Sequence, residues 1–416
     1  MKVKNLLGGF QLLFVAFGAL ILVPLLTGLD PSVALFTSGV GTLAFQFITK
    51  RSVPVFLASS FVFVAPITHG INTWGLPATL CGLIAAGLVY IIIGLCIYFK
   101  GKDIVQCIAP PIVVGPIILL IGLLLAPIAS SLAMGKSCDG TTQVYELPYA
   151  LFLSALTLIS ACFFCINKNK NLRSLSLLLG LAIGYTAALL MGLVDFSSIS
   201  CSDWFSVPNF TFPEWNLNAV LFILPIAIAP ALEHFGDILA IGNVTGKDYT
   251  KDPGLHKTLI GDGVATSIAS CFGGPPNTTY SEVTGAIAVT KMDDPKIITI
   301  TAIIAIILSF MDKFGYLIKS IPTPILGGML FLLFGVITTV GINTTCNNND
   351  DLTSPRNIVI VGLILTFGIG GFQVSLGNTM LSGIGLASLI GLLLNYILPK
   401  EKDDDGKENR DSCINR

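Results

Sequence analysis

Apolar runs of roughly 15–25 residues, cut by polar or Gly/Pro turns, recur along the whole chain and predict about fourteen membrane spans. Their approximate positions are 6–28, 33–49, 54–68, 76–99, 108–134, 148–166, 172–193, 218–243, 258–272, 277–290, 295–312, 322–341, 356–373 and 379–398. The third and tenth are too short for a full helix and carry breakers. Between the ninth and the tenth, Gly273-Gly274-Pro275-Pro276 interrupts an apolar run where a spanning helix would otherwise continue. Prolines lack the N–H donor and exclude a helix through them. The stretch therefore reads as an extended piece turning into a half-helix, with Asn277, Thr278 or Thr279 as its cap.

Composition agrees with this pattern. Of 416 residues, 53% are hydrophobic and only 11% charged, and the mean hydropathy is +0.83. Soluble domains carry roughly 25% charged residues, so an integral membrane protein is implied rather than a large soluble core. The net charge of −1 gives no sign of nucleic-acid binding. MKVKN resembles a signal-peptide start, but no small-residue cleavage site follows, so it reads as the beginning of an uncleaved first helix.

The basic residues set an orientation. With a cytoplasmic N-terminus, only Lys136, Lys313 and Lys319 of the 23 Lys and Arg fall outside. This asymmetry fits an even number of spans with both termini in the cytoplasm. The tail, residues 400–416, is charged and nearly free of apolar residues, as expected of a solvated, disordered segment. The loops 136–146 and 195–217 are the main outer segments, with Trp204 and Trp215 as interfacial anchors.

A weak internal repeat is also legible. Pro111/Pro324, Gly115/Gly328 and Gly122/Gly335 share an offset of 213 residues, in the fifth and twelfth spans. A repeat of seven spans inserts its second copy upside down, an architecture found in many secondary transporters.

The ten cysteines form no metal pattern. Cys162 and Cys165 make a C-x-x-C inside an apolar run without a second ligand pair, so they read as ordinary buried or lipid-facing thiols. Cys138 and Cys201 lie in the two long outer loops, where an oxidising environment would allow pairing.

Chemistry concentrates in 231–285, where Glu233, His234, Asp237, Asp262 and Glu282 sit inside or beside apolar segments. Ionisable side chains at membrane depth cost at least a few kcal/mol and normally face a cavity with a job to do. Glu233 and Asp237 are four apart and share a helical face, while His234 points about 100° away. Glu282 falls in the first turn of the tenth half-helix, where the helix dipole favours a carboxylate. Ser59, Ser60 and Phe61 reach a similar depth in the third span. Two carboxylates facing backbone donors at a helix end suit a flat heterocycle with N–H donors and C=O acceptors on its edge. Carboxylates crowded in a low-dielectric site repel, so one is expected to take up and release a proton with substrate. An inorganic anion would want basic groups, which the interiors of the predicted spans lack. No Ser/His/Asp set, metal constellation or phosphate-cradling loop is present, which argues against an enzyme.

These stretches carry a resemblance. LFVAFGALILVPLL, PVFLASSFVFVAPI, EHFGD, KDPGLH, GDGVATSIASCFGGPPNTTYSE and IPTPILGGM resemble the nucleobase/ascorbate transporter family over about residues 6–398. The segment NTTYSE is most like that of its uracil–proton symporters, where xanthine and urate carriers tend to show Gln-Asn. The resemblance implies fourteen spans in two inverted repeats of seven, commonly as a homodimer in the bacterial inner membrane. A core domain (1–107 and 218–313) would move against a gate domain (108–217 and 314–399). It implies that Glu233 and Glu282 bind the base, that backbone near Phe61 and Ser281 donates to its carbonyls, and that Ala19 and Tyr280 wall the pocket. Asp237, Glu233 and His234 are then the candidates for proton coupling. No cofactor is implied beyond the proton gradient, and no partner beyond substrate, lipid and a second copy. Two departures stand out. A bacterial uracil carrier of the family has a His where this chain has Asp237, which is more like the family's purine carriers, and a Tyr where this chain has Phe334. A xanthine or urate symporter is thus the alternative within the family, and an anion exchanger or channel the alternative outside it.

Overall fold

Residues 3–101, 110–290, 292–346, 352–376 and 379–399 are described in a computed structural model of the chain. Two long helices, α1 (Val3–Thr27) and α2 (Pro31–Ile48), lead into the short strand β1 (Ala58–Ser59), a 3-10 turn at Phe61–Phe63, and α3 (Val64–Trp74). Helices α4 (Leu76–Lys100), α5 (Pro111–Ala133), α6 (Leu147–Cys165), α7 (Lys170–Ser174), α8 (Ser176–Leu190) and α9 (Ser197–Cys201) follow. Next come α10 (Leu217–Ile223), α11 (Ile228–Thr245), α12 (Leu255–Cys271), strand β2 (Asn277–Thr278), α13 (Ser281–Thr290), α14 (Pro295–Ser309) and α15 (Asp312–Lys319). The chain closes with α16 (Thr323–Cys346), α17 (Pro355–Ile369), the hairpin β3 (Gln373–Leu376)–β4 (Thr379–Ser382), and α18 (Gly383–Ile397).

Among these, six helices are long and apolar enough to cross a membrane, or eight if each of two bent pairs counts as one span. Three shorter apolar helices, α8, α17 and α18, accompany them. The protein is therefore an α-helical integral membrane protein. Three boundaries differ from the sequence expectation. The eighth span is two helices, α10 and α11, bent by 44°. The eleventh ends at Ser309, and the chain turns 86° into α15, an amphipathic helix where a connecting loop was expected. The fourteenth opens with the β3–β4 hairpin, so its helix begins at Gly383 rather than 379. The predicted disordered tail lies outside the described residues.

Helix packing relies on small residues, because lipid tails are as apolar as Leu and close backbone approach supplies the attraction. Helices α5 and α16 run antiparallel, with Gly115 against Gly341 and Thr345, Gly122 against Phe334 and Thr338, and Gly327 against Ala133. On α4, Gly87 meets Gly263 of α12. A Cβ added at Gly341 would collide with the backbone of Leu119 and Gly115, whereas one at Gly335 of the same helix meets nothing within 4 Å. Overpacking costs about 1–3 kcal/mol. Gly341→Leu is therefore expected to lower the thermal midpoint of the purified protein, and Gly335→Leu to leave it unchanged.

Several threonines inside the helices are satisfied locally. The hydroxyls of Thr37, Thr157 and Thr301 donate to the carbonyls of Val33, Leu153 and Ile297 at 2.9, 2.8 and 2.9 Å. At the outer loops, Phe210 stacks edge-on against Phe36 and Phe272, and the ammonium of Lys313 sits 4.6 Å from the centre of the Trp204 ring. Cys138 is a free thiol; the side chain of Cys201 lies outside the described residues.

Candidate substrate site

Two interrupted spans build the site. Helix α12 ends where Gly273 adopts a φ of +89°, a left-handed conformation that favours glycine, and Pro275-Pro276 then forbid its resumption. The freed backbone pairs with the other interrupted segment. β1 and β2 are antiparallel, with Ala58 opposite Thr278 and Ser59 opposite Asn277. The Ser60 N–H donates to the Pro276 carbonyl at 2.9 Å, and the Leu57 N–H to Thr42 Oγ1 at 3.0 Å. Non-helical backbone at this depth is tolerable only because it is covered in this way. The strands continue into α3, through the Phe61–Phe63 turn, and into α13.

Where these segments meet lies a cavity of about 300 Å³. One wall is Ser59, Ser60, Phe61, Val62, Glu233, Thr278, Thr279, Tyr280 and Gly285. The facing wall is apolar and comes from α5 and α16: Ile118, Ile121, Val336, Ile337 and Val340. Phe61 also meets Phe334 of α16 edge-to-face, with ring centroids 5.6 Å apart. A planar ligand would thus lie between aromatic and branched aliphatic surfaces, with its polar edge toward the strand crossing and Glu233.

Behind the wall sits a buried polar group. Thr279 Oγ1 donates to Asp237 Oδ2 at 2.8 Å and lies 3.4 Å from His234 Nδ1. His234 Nδ1 is 3.5 Å from Asp262 Oδ2, which also accepts from Thr278 Oγ1 at 3.3 Å. Asp262 and His234 are fully buried, and Asp237 is 6% exposed. Thr279 faces the cavity and contacts the hidden acids, so it joins the two.

The sequence-derived candidates are distributed as follows. Glu233, Phe61 and Tyr280 are on the cavity wall. Asp237 and His234 stand one layer behind it, and the turn of the helix that separates them carries His234 to Asp262 on α12. Ala19 is fully buried in α1 and is not among the lining residues; its neighbour Gly18 lies close to the Tyr280 hydroxyl. Ser281 and Glu282 begin α13, but their side chains lie outside the described residues. Sequence reasoning singled out Asp262 without assigning it a role. It also missed the apolar wall on α5 and α16, since nothing marks one Ile or Val among so many.

A second cavity of about 280 Å³ adjoins the first, sharing Gly285 and Val336 with it. It runs past Phe14 and Leu333 to Arg173 and Ser174, where Gln11 Nε2 donates to Ser174 Oγ at 3.1 Å.

Comparison with known proteins gives a consistent result. The sequence model described as "Permease family" matches residues 3–377. The "Probable uracil permease" of Pasteurella multocida is 47% identical over 98% of this chain and 96% of the relative. The uracil permease of Bacillus subtilis is 40% identical over 95% and 92%, and that of Escherichia coli 33% identical over 93% and 89%. Among solved structures, the transmembrane domain of a cyanobacterial bicarbonate transporter, BicA, superposes with a TM-score of 0.64 at 15% identity, covering 94% of this chain and 96% of that one. The murine anion transporter Slc26a9, in its inward-facing state, gives 0.67 at 11% identity, covering 95% and 68%. At such low identity these two show the fold alone. The family match and the curated relatives together place this chain in the permease family, among the nucleobase/ascorbate transporters.

Proposed function

We propose that the protein imports uracil together with protons, by alternating access. The observation that carries this reading is a carboxylate, Glu233, on the wall of a cavity where two half-helices converge. Uracil presents N–H donors and C=O acceptors around one flat ring. Glu233 accepts from the N–H groups, and the helix-end amides near Phe61 and Ser281 donate to the carbonyls. Glu282 supplies the second acceptor, as its place in the first turn of α13 and the family resemblance suggest. The curated relatives that carry the name uracil permease support the choice of base. The structural neighbours transport anions, but among the described residues the cavity wall includes no Lys, Arg or His. That wall disfavours an inorganic anion.

Asp237, Thr279, His234 and Asp262 form the group through which proton and substrate are coupled. The Thr279 hydroxyl bridges it to the cavity. Thr279→Val removes one donor from buried Asp237, and losing a hydrogen bond to a buried polar group costs about 1–3 kcal/mol. It is expected to slow transport at least tenfold while uracil affinity changes less than threefold, read from transport currents beside equilibrium binding.

The chain is best arranged as fourteen spans in two inverted repeats, with core (1–107 and 218–313) and gate (108–217 and 314–399). The antiparallel packing of α5 on α16, the two helices that share the 213-residue offset, supports a pseudo-two-fold relation. So does the antiparallel pairing of the two broken spans. The cavity lies between elements assigned to core and to gate. With both termini cytoplasmic, in the bacterial inner membrane, the second cavity lies beside exposed Arg173 on the cytoplasmic side, which supports an inward-facing reading of this conformation. The family resemblance also assigns a homodimer, which light scattering of the purified protein tests. Uptake of labelled uracil into cells lacking their own base permeases tests the function: competition by excess xanthine instead of uracil would move the assignment to purines, in keeping with Asp237.

A further inference from the structure

Asn277 is fully buried and stands off the cavity wall, yet one residue joins three elements. Its Nδ2 donates to the Thr37 carbonyl of α2 at 2.9 Å. Its Oδ1 accepts from Ser38 Oγ at 3.1 Å, and its backbone carbonyl accepts from Thr266 Oγ1 of α12 at 2.5 Å. Gly41 makes the room: a Cβ there would lie 2.6 Å from Asn277 Nδ2.

The ladder that Asn277 belongs to is only two residues long on each strand. So short a ladder specifies its register weakly, and a slip of one residue exchanges the faces of every side chain. Thr278, Thr279 and Tyr280 follow directly, and all three line the cavity. A slip would turn Thr279 away from Asp237 and displace Tyr280 and the start of α13. A neutral amide is suited to preventing this, because it meets a carbonyl acceptor and a hydroxyl donor at once without bringing a charge to membrane depth.

We propose that Asn277 is a positioning residue for substrate binding, its amide locking the register of β2 against α2 and so holding Thr279, Tyr280 and the first turn of α13 at the cavity. This rests on the uracil reading of the same cavity. It predicts a change in substrate affinity, which a merely structural role would not produce. A variant that only folds less well lowers Vmax at unchanged KM, whereas a displaced wall raises KM.

The test is uracil transport by the full chain reconstituted in vesicles, with rates normalised to folded protein. Asn277→Leu, similar in shape but unable to bond, is expected to raise KM at least tenfold with Vmax within threefold. Asn277→Asp retains the acceptor and, when protonated, a donor, and is expected to restore KM to within threefold of the parent. Ser38→Ala removes one partner at lower cost and is expected to raise KM two- to threefold; it carries the test if Asn277→Leu does not fold. KM within twofold of the parent in Asn277→Leu, or in Ser38→Ala where the former does not fold, would overturn the inference. If the parent protein transports no uracil, the substrate assignment fails instead, and hydrogen exchange of residues 276–280 decides the positioning role. At least tenfold faster exchange in the available variant supports it, and unchanged exchange refutes it.

Discussion

Glu233→Gln is expected to weaken uracil binding about 100-fold. A hydrogen bond to a charged group contributes about 1.5–3 kcal/mol, and each ~1.4 kcal/mol is a factor of ten, giving roughly 10- to 150-fold. The upper part of that range applies because Gln also turns an N–H₂ donor toward a ligand edge that itself offers N–H. The substitution preserves shape at a partly exposed position on the cavity wall, so folding should be intact. Equilibrium binding of labelled uracil to purified protein gives the number, and a change of less than threefold would remove Glu233 from the binding site. Glu282→Gln is expected to act in the same direction.

The second large effect is steric. Gly285 lies on α13 at the junction of the two cavities, and a Cβ added there meets nothing within 4 Å. Gly285→Phe therefore starts its side chain in open space and directs the ring into the cavities. It should leave expression and thermal stability near those of the parent and reduce uracil transport to background. An apolar ring in the passage also removes volume from the central cavity, so binding should fall at least tenfold. Transport at the parent rate would show that the base does not pass between these cavities. Loss of transport accompanied by loss of stability would point to packing instead, so the stability measurement is part of the same experiment.

The long apolar helices were legible because a membrane-crossing segment must be long and apolar, and both conditions are visible in one dimension; among the described residues six helices, or eight spans with the bent pairs, meet that test. The break before the tenth expected span was equally plain, since Gly273 to Pro276 forbid a helix whatever surrounds them. Less visible was the turn after Ser309. Lys313 and Lys319 read as loop residues and Asp312 as the last residue of the eleventh span, but all three belong to α15, an amphipathic helix whose sharp departure from α14 depends on tertiary packing. The β3–β4 hairpin was missed although its sequence carries a signal: the runs QVSL and TMLS are separated by two residues, Gly377-Asn378, a pair that favours hairpin turns.

The candidate site divides along the same line. Glu233 was identifiable because a carboxylate in an apolar run is expensive, and Phe61 and Tyr280 through the breaks beside them and the family resemblance. The arrangement of Asp237, His234 and Asp262 around Thr279 was not, because it joins residues up to 45 positions apart through a strand crossing. Asn277 offered only a capping signal, and its bonds to α2 span about 240 positions.

The measurement that bears most directly on this account is initial uptake of labelled uracil in cells lacking their own base permeases. It is made at mildly acidic and mildly alkaline external pH, with and without a protonophore, and beside the Glu233→Gln variant. The account predicts uptake that is faster at acidic pH, collapses with the protonophore, is lost in the variant and is indifferent to excess xanthine. Uptake that is absent, insensitive to the protonophore or unchanged in the variant would contradict it.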